Sequence, residues 1–304
     1  TMALLTTIPA SMMIPMKARY LISRFRPAFA KRGEKFMKKN MMIPLFLFLT
    51  CYVLSFLIKD TISLELTNKN QAPSLSHLFG TDWLGRDMLL RTLKGIQLSI
   101  TLGVVTAFLS TSLGLLLSLL AIVHPYLDKM VSWLIDLFLS LPHLVTLILI
   151  SFVLGGGFKG VVIGLMLTHW PAITRVLRAE LLQLQTKPYV QISKQQGKGF
   201  WWRARHHFLP HLFPQLMVGF TLIFPHAILH EASITFLGFG LAAEQPAIGI
   251  ILSESMQYLS SGMWWLAFFP GVTLLLMMLL FQRFANAFKH HLERDRSYEH
   301  YFNR

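Results

Sequence analysis

The sequence predicts an all-α integral membrane protein: about six apolar helices, with a basic, aromatic segment set between two of them. Three observations carry this reading. The 304-residue chain is 54% hydrophobic and only 14% charged, where a soluble domain carries roughly a quarter charged residues. Its apolar residues gather in runs long enough to cross a bilayer, and its Lys and Arg gather between those runs. The mean hydropathy of +0.52 exceeds what a packed core absorbs without lipid.

Runs of about 17–25 apolar residues read as spanning helices, because in lipid only a helix satisfies its own backbone. The expected spans are 42–58, 98–123, 131–154, 161–176, 212–237 and 263–284. The fourth is short and follows the third across GGGFKG (155–160), read as a tight turn. Basic residues set the sidedness. Lys17 to Lys39 precede the first span, Arg175 to Arg205 lie between the fourth and fifth, and Arg283 to Arg304 close the chain. With alternating spans, most of the 28 Lys and Arg fall on one side, the cytoplasmic one. Both termini are then cytoplasmic, and the net charge of +14 needs no nucleic acid. The organisation expected is a cytoplasmic basic segment (1–41), a first span (42–58), an outer-face loop (59–97), a membrane core (98–288) and a cytoplasmic tail (289–304). The mildly apolar opening precedes its basic cluster, the reverse of a cleaved signal, and reads as a cytoplasmic lead-in. The lone Cys51 excludes a disulfide framework and reads as inert packing.

Residues 187–210, KPYVQISKQQGKGFWWRARHHFLP, are foreign to such a chain. Pro188 suits a first helical turn, Tyr189 to Gln196 can continue it, and Gly197 and Gly199 interrupt it. Phe200 to Arg205 then form a second amphipathic helix, closed by Pro210 before the next span. Trp and Arg suit anchors in a partner's groove, and Trp201 and Trp202 equally suit an interfacial belt.

Several stretches together resemble one family. Permease subunits of ABC importers carry a cytoplasmic E-A-A-x-x-x-G signature with H-x-L-P downstream. Here Gln191, Ile192 and Ser193 stand where E-A-A is expected, Gly197 is the glycine, and His207 to Pro210 supply HFLP. FGTDWLGRDMLLRTLKGIQLSI (79–100) resembles the G-T-D-x-x-G-R-D segment of the dipeptide/oligopeptide/nickel branch. LIDLFLSLP (134–142), LTHWPAITRVLRAE (167–180) and SITFLGFGL (233–241) are similar to its later spans. The resemblance runs from about residue 78 to 292, to the second, C-type, permease of that branch. It implies the type I ABC importer permease fold in the bacterial cytoplasmic membrane, forming half of a translocation pathway. Implied partners are a related permease, two cytoplasmic ATPases carrying ATP and Mg, and an external substrate-binding protein. Tyr189, Gln191, Ile192, Ser193, Gly197, Phe200, Trp201, His207 and Pro210 would then couple to the ATPase. Cargo within the branch is a nickel or metal chelate, or a di- or oligopeptide.

Other residues pose site-level questions. Gly80, Asp82, Gly85, Arg86 and Asp87 lie in the outer loop. There an Asp–Arg pairing between glycine turns would order the entry to the second span, beside a docking surface. Asp136 within the third span is expected to pair with Arg175 or Arg178, or else to mark a transport path. His226 and His230 stand one turn apart, followed by Glu231. Imidazoles suit nickel, copper and zinc, so the two histidines are candidate metal ligands, and all three residues are candidate path-lining groups. Buried hydrogen-bonded packing is the alternative, and it is the reading taken for His169. No G-x-x-x-x-G-K-[ST], H-E-x-x-H or G-x-S-x-G occurs, so the chain is expected to bind no cofactor and catalyse nothing itself. A stand-alone secondary transporter or channel is the competing class. It predicts inverted repeats that the sequence does not display, and it leaves residues 187–210 without a role.

Overall fold

The computed structural model describes residues 42–50, 52–56 and 65–302. The basic segment 1–41, Cys51 and residues 57–64 lie outside them. The chain is a helical bundle with a single isolated β-bridge, between Thr81 and Asp87, among the described residues. In chain order the helices are α1 (Met42–Phe56), α2 (Met88–Ala121), α3 (Pro125–Ser140), α4 (His143–Val153) and α5 (Gly157–Gln185). Then come α6 (Pro188–Gln195), α7 (Phe200–Arg203), α8 (Leu209–Phe236), α9 (Ile248–Leu259) and α10 (Trp265–Phe302).

Four helices are long and apolar enough to cross a membrane, and α3 with α4 makes a fifth if the pair counts as one. The expected straight span 131–154 is therefore corrected. It is two helices meeting at 101°. Pro142 is the cause: it has no N–H to donate and its ring clashes with the preceding turn, while Leu141 before it takes extended backbone (φ −85°, ψ 143°). The four long helices exceed their apolar runs, while α1 is described only to Phe56 and the end of the expected span 42–58 lies outside the described residues. α2 starts at Met88 rather than 98, because Asp87 caps it by accepting from Leu89 and Leu90 N–H at 2.8 and 3.1 Å. α5 runs 29 residues through Pro171 and is not short. The glycine turn is brief, since α5 already begins at Gly157.

α2, α5 and α8 form the centre of the bundle. Small residues let them approach: a Cβ on Gly219 of α8 would lie 2.3 Å from Ile173 of α5, and one on Gly103 of α2 2.7 Å from Ile228 of α8. Phe224, Ile228 and Ala232 of α8 pack with Ile96, Ile100 and Ala107 of α2 and with Phe281 of α10. Contacts sort the loops to two ends of the bundle. At one, Trp265 donates to Thr81 O (3.4 Å), Gly157 N–H to Gly240 O (2.9 Å), and Ser151 to Phe239 O (3.1 Å). At the other, Gln185 donates to Ile122 O (3.1 Å) beside α6. Successive spans thus run in alternate directions, with residues 187–208 at one end and 65–87 at the opposite end.

Candidate functional site

At the end bearing α6 and α7, residues 187–208 form a helix, a turn and a second helix. Gly197 makes the turn at φ +77°, a conformation that strains any residue with a Cβ. The segment has two faces. Val190 of α6 with Ala204 and Phe208 sinks into a cluster with Ile173, Leu177, Leu181 and Leu184 of α5 and Leu212 of α8. Outward, Tyr189 is 45% exposed, Ile192 53% and Trp201 76%. Gln191 is exposed and donates to Gln185 O (2.6 Å), while Phe200 is half-buried. Ser193 joins the two limbs: its hydroxyl donates to Tyr189 O (3.0 Å), which leaves His207 Nε2–H to donate to Ser193 Oγ at 2.8 Å. Trp202 stacks on His206 (4.3 Å between ring centres, 14°), with Lys198 Nζ 5.2 Å from its face.

One expectation here is corrected. Pro210 does not close the second helix, which runs on from Phe200 to Phe236 as one span. A π-helical turn, Ala204–Phe208, in which Leu209 N–H reaches back to Ala204 O, widens the backbone just ahead of Pro210.

At the opposite end, Asp82 is fully buried and carries much of the loop. Its Oδ1 accepts from Leu84 and Arg86 N–H, both at 2.9 Å, and its Oδ2 from Arg86 Nε (2.6 Å) and Arg91 (3.1 Å). The expected Asp–Arg pairing is present, but Arg91 was missed. It lies within α2, 4% exposed, and bridges Asp82 to Glu254 of α9. Trp83 lies over both guanidinium groups (5.3 and 5.4 Å) and stacks on Tyr258 (4.8 Å). Asp87 also meets His77 Nδ1 at 2.8 Å. Gly80 and Gly85 have positive φ, and at Gly85 a Cβ would lie 1.9 Å from Glu65 O, so only glycine fits.

Within the bundle, Arg175 donates to Asp136 (2.7 Å), the expected pairing. Arg178 instead grips Asp128 of α3 through two bonds (2.5 and 2.7 Å). Glu231 is fully buried against α2, accepting from Ser99 (2.8 Å) and Thr235 (3.0 Å). His226 is exposed on α8. His230 lies beside His143 of α4 and His169 of α5, their ring centres 4.3 and 5.5 Å away. His143 went unmarked in the sequence, because its partners are contributed by two other helices and share no local spacing with it.

The architecture defines the class: a multi-span α-helical membrane protein with a structured helix–turn–helix at one end of the bundle. Residues 110–295 match the binding-protein-dependent transport system inner membrane component family, and the chain belongs to it. It is an ABC importer permease of the peptide group and a multi-pass protein of the bacterial inner membrane. The dipeptide transport system permease protein DppC of Bacillus subtilis (strain 168) is 31% identical over 252 residues, 82% of this chain and 79% of the relative. The MetNI methionine ABC transporter, in an inward-facing conformation, shares the fold at a TM-score of 0.54 and 20% identity, over 67% of this chain and 97% of that one.

Proposed function

We propose that this permease forms half of the pathway of a binding-protein-dependent importer, with a related permease as the other half. Two cytoplasmic ATPases, carrying ATP and Mg, drive it by pushing on residues 187–208, and an external binding protein delivers cargo to the Asp82 end. Both termini are then cytoplasmic.

The observation that carries this reading is the two-faced segment. Val190, Ala204 and Phe208 root it in the α5–α8 core, while Tyr189, Ile192 and Trp201 stand exposed on a basic, acid-free stretch. Exposed aromatic and aliphatic groups beside cations suit a partner's groove. A load on that face passes directly into α5 and α8, so the spans respond as rigid bodies switching between two packings. The broken α3–α4 pair supports a second permease. Non-helical backbone at membrane depth is stable only against protein or water, and Leu141, Leu144, Val145 and Leu149 around it are exposed on this chain.

The cargo is a di- or oligopeptide, in keeping with the named relative, or a nickel or other metal chelate, in keeping with the clustered histidines. The decisive experiment is purification from membranes. An ATPase subunit should co-purify with the wild type, and transport in liposomes should require ATP. Transport by the purified chain alone would select the stand-alone transporter instead.

A further inference from the structure

The three histidines do more than pack. They come from three different elements. His143 begins α4 immediately after the Pro142 break, His169 lies near the middle of α5, and His230 lies on α8. One ring nitrogen from each falls within 4.8 Å of the other two. His143 and His169 meet edge to face (4.9 Å, 85°).

Their hydrogen bonds set which nitrogens are available. His169 Nδ1–H donates to Leu165 O at 2.8 Å, which leaves the lone pair on Nε2. That Nε2 is buried and no protein group bonds to it; the same holds for His143 Nδ1. Leaving such buried atoms unpaired is unfavourable, and a cation that accepts their lone pairs removes that cost. The backbone bond to His169 is also the outer support that metal-ligating histidines usually have, fixing both tautomer and ring orientation.

We propose that His143, His169 and His230 bind a divalent transition-metal ion of the nickel, copper or zinc type, inside the bundle. The site deepens the metal reading of the cargo and rests on the importer function proposed above. All-imidazole donors select these ions and disfavour magnesium and calcium, which take oxygen. A metal at about 2.0–2.1 Å from each nitrogen requires nitrogens roughly 3.0–3.4 Å apart, so the three rings draw together on loading. No fourth His, Cys, Asp or Glu joins the group among the described residues. Three protein ligands leave a coordination position open for water or for a chelator's own donor, which suits transfer rather than permanent retention. One ligand stands at the start of α4, so movement at the Pro142 break would withdraw it and weaken the site.

The test begins with the full chain in lipid nanodiscs, purified without a polyhistidine tag and titrated with Co²⁺ by visible absorption. Ni²⁺ retained after desalting gives the stoichiometry. The expected result is about one metal per chain, with at least tenfold weaker Co²⁺ binding in His143→Gln, His169→Gln and His230→Gln. His169→Cys, which keeps a ligand atom, should retain binding, and His290→Gln/His291→Gln in the tail should leave the titration unchanged. Absence of binding by the wild type, or the same titration in all three trio variants, overturns the proposal. Helicity and size-exclusion profiles establish that each variant is folded. A second arm uses the assembled importer in liposomes, supplied with ATP and radiolabelled Ni²⁺ alone, Ni²⁺ with excess histidine, or labelled dipeptide. Nickel uptake in either form that falls at least tenfold in the trio variants supports the site, and the form taken up identifies the ion's source. Nickel uptake unchanged in those variants overturns it as a cargo site. Metal binding by the chain, with no ATP-dependent uptake of any probe, would instead reject the importer reading and leave the metal site standing.

Discussion

Asp82 and Asp136 are both carboxylates facing arginine, yet their surroundings make them unequal. Asp82 has no exposure and holds two guanidinium groups and two backbone N–H groups. Asp82→Asn keeps the shape but removes the charge opposite Arg91, itself 4% exposed. Arg91 keeps Glu254, so the loss is that of charge-assisted hydrogen bonds, about 1.5–3 kcal/mol, and thermal unfolding in detergent should shift down. Asp136 and Arg175 are 72% and 56% exposed on this chain and share a single hydrogen bond, so no buried network rests on them. Asp136→Ala should leave the same unfolding curve of the isolated chain nearly unmoved. Equal shifts for the two variants would show that burial does not separate them.

At the scale of the element, the interesting unit is the α6–turn–α7 hairpin. Its inner face is apolar and its turn depends on Gly197, and among the described residues a side-chain bond from His207 to Ser193 joins its limbs. Ser193→Ala removes that bond at a cost of about 1 kcal/mol, too little to unfold a bundle of this size. If the hairpin transmits force, this variant should hydrolyse ATP in the assembled importer while uptake falls several-fold. Gly197→Val should act more strongly. A Cβ there meets no atom within 4 Å, so its cost of roughly 1–2 kcal/mol is backbone strain alone and the chain should still assemble. Normal uptake in Gly197→Val, with assembly intact, would mean that the hairpin is not the coupling element.

For the whole molecule, the sorting of loops to two ends makes sidedness a single binary question. The 187–208 hairpin and the Asp82 loop must lie on opposite sides of the membrane. In a chain with Cys51 replaced, a cysteine at Trp201 should react with a membrane-impermeant maleimide only in inverted vesicles, and one at Ser76 only in intact cells. Labelling of both positions from the same side would overturn the fold's placement in the bilayer, and labelling of Trp201 from outside would reverse its orientation.

Composition and run length were enough to specify an all-helical membrane protein, because the bilayer demands about 20 apolar residues in a self-satisfied helix and few other patterns meet that demand. The hairpin was legible too, since Pro188, Gly197 and the basic aromatic run act through local backbone preference and charge. Its far boundary was misplaced. Pro210 as a stop is a local rule, and the π turn that overrides it is held by Phe208 and Leu212 in the core. The break at Pro142 hid inside a continuous apolar run, since hydropathy carries no direction. What the tertiary structure alone decided is which distant residues meet. Arg91 finds Glu254, and His143 finds His169 and His230, across gaps that no spacing rule covers. Segment patterns record how each helix faces lipid or its own turns. Which polar group on one helix meets which on another is set by how the helices cross, and that follows from the packing of all of them at once.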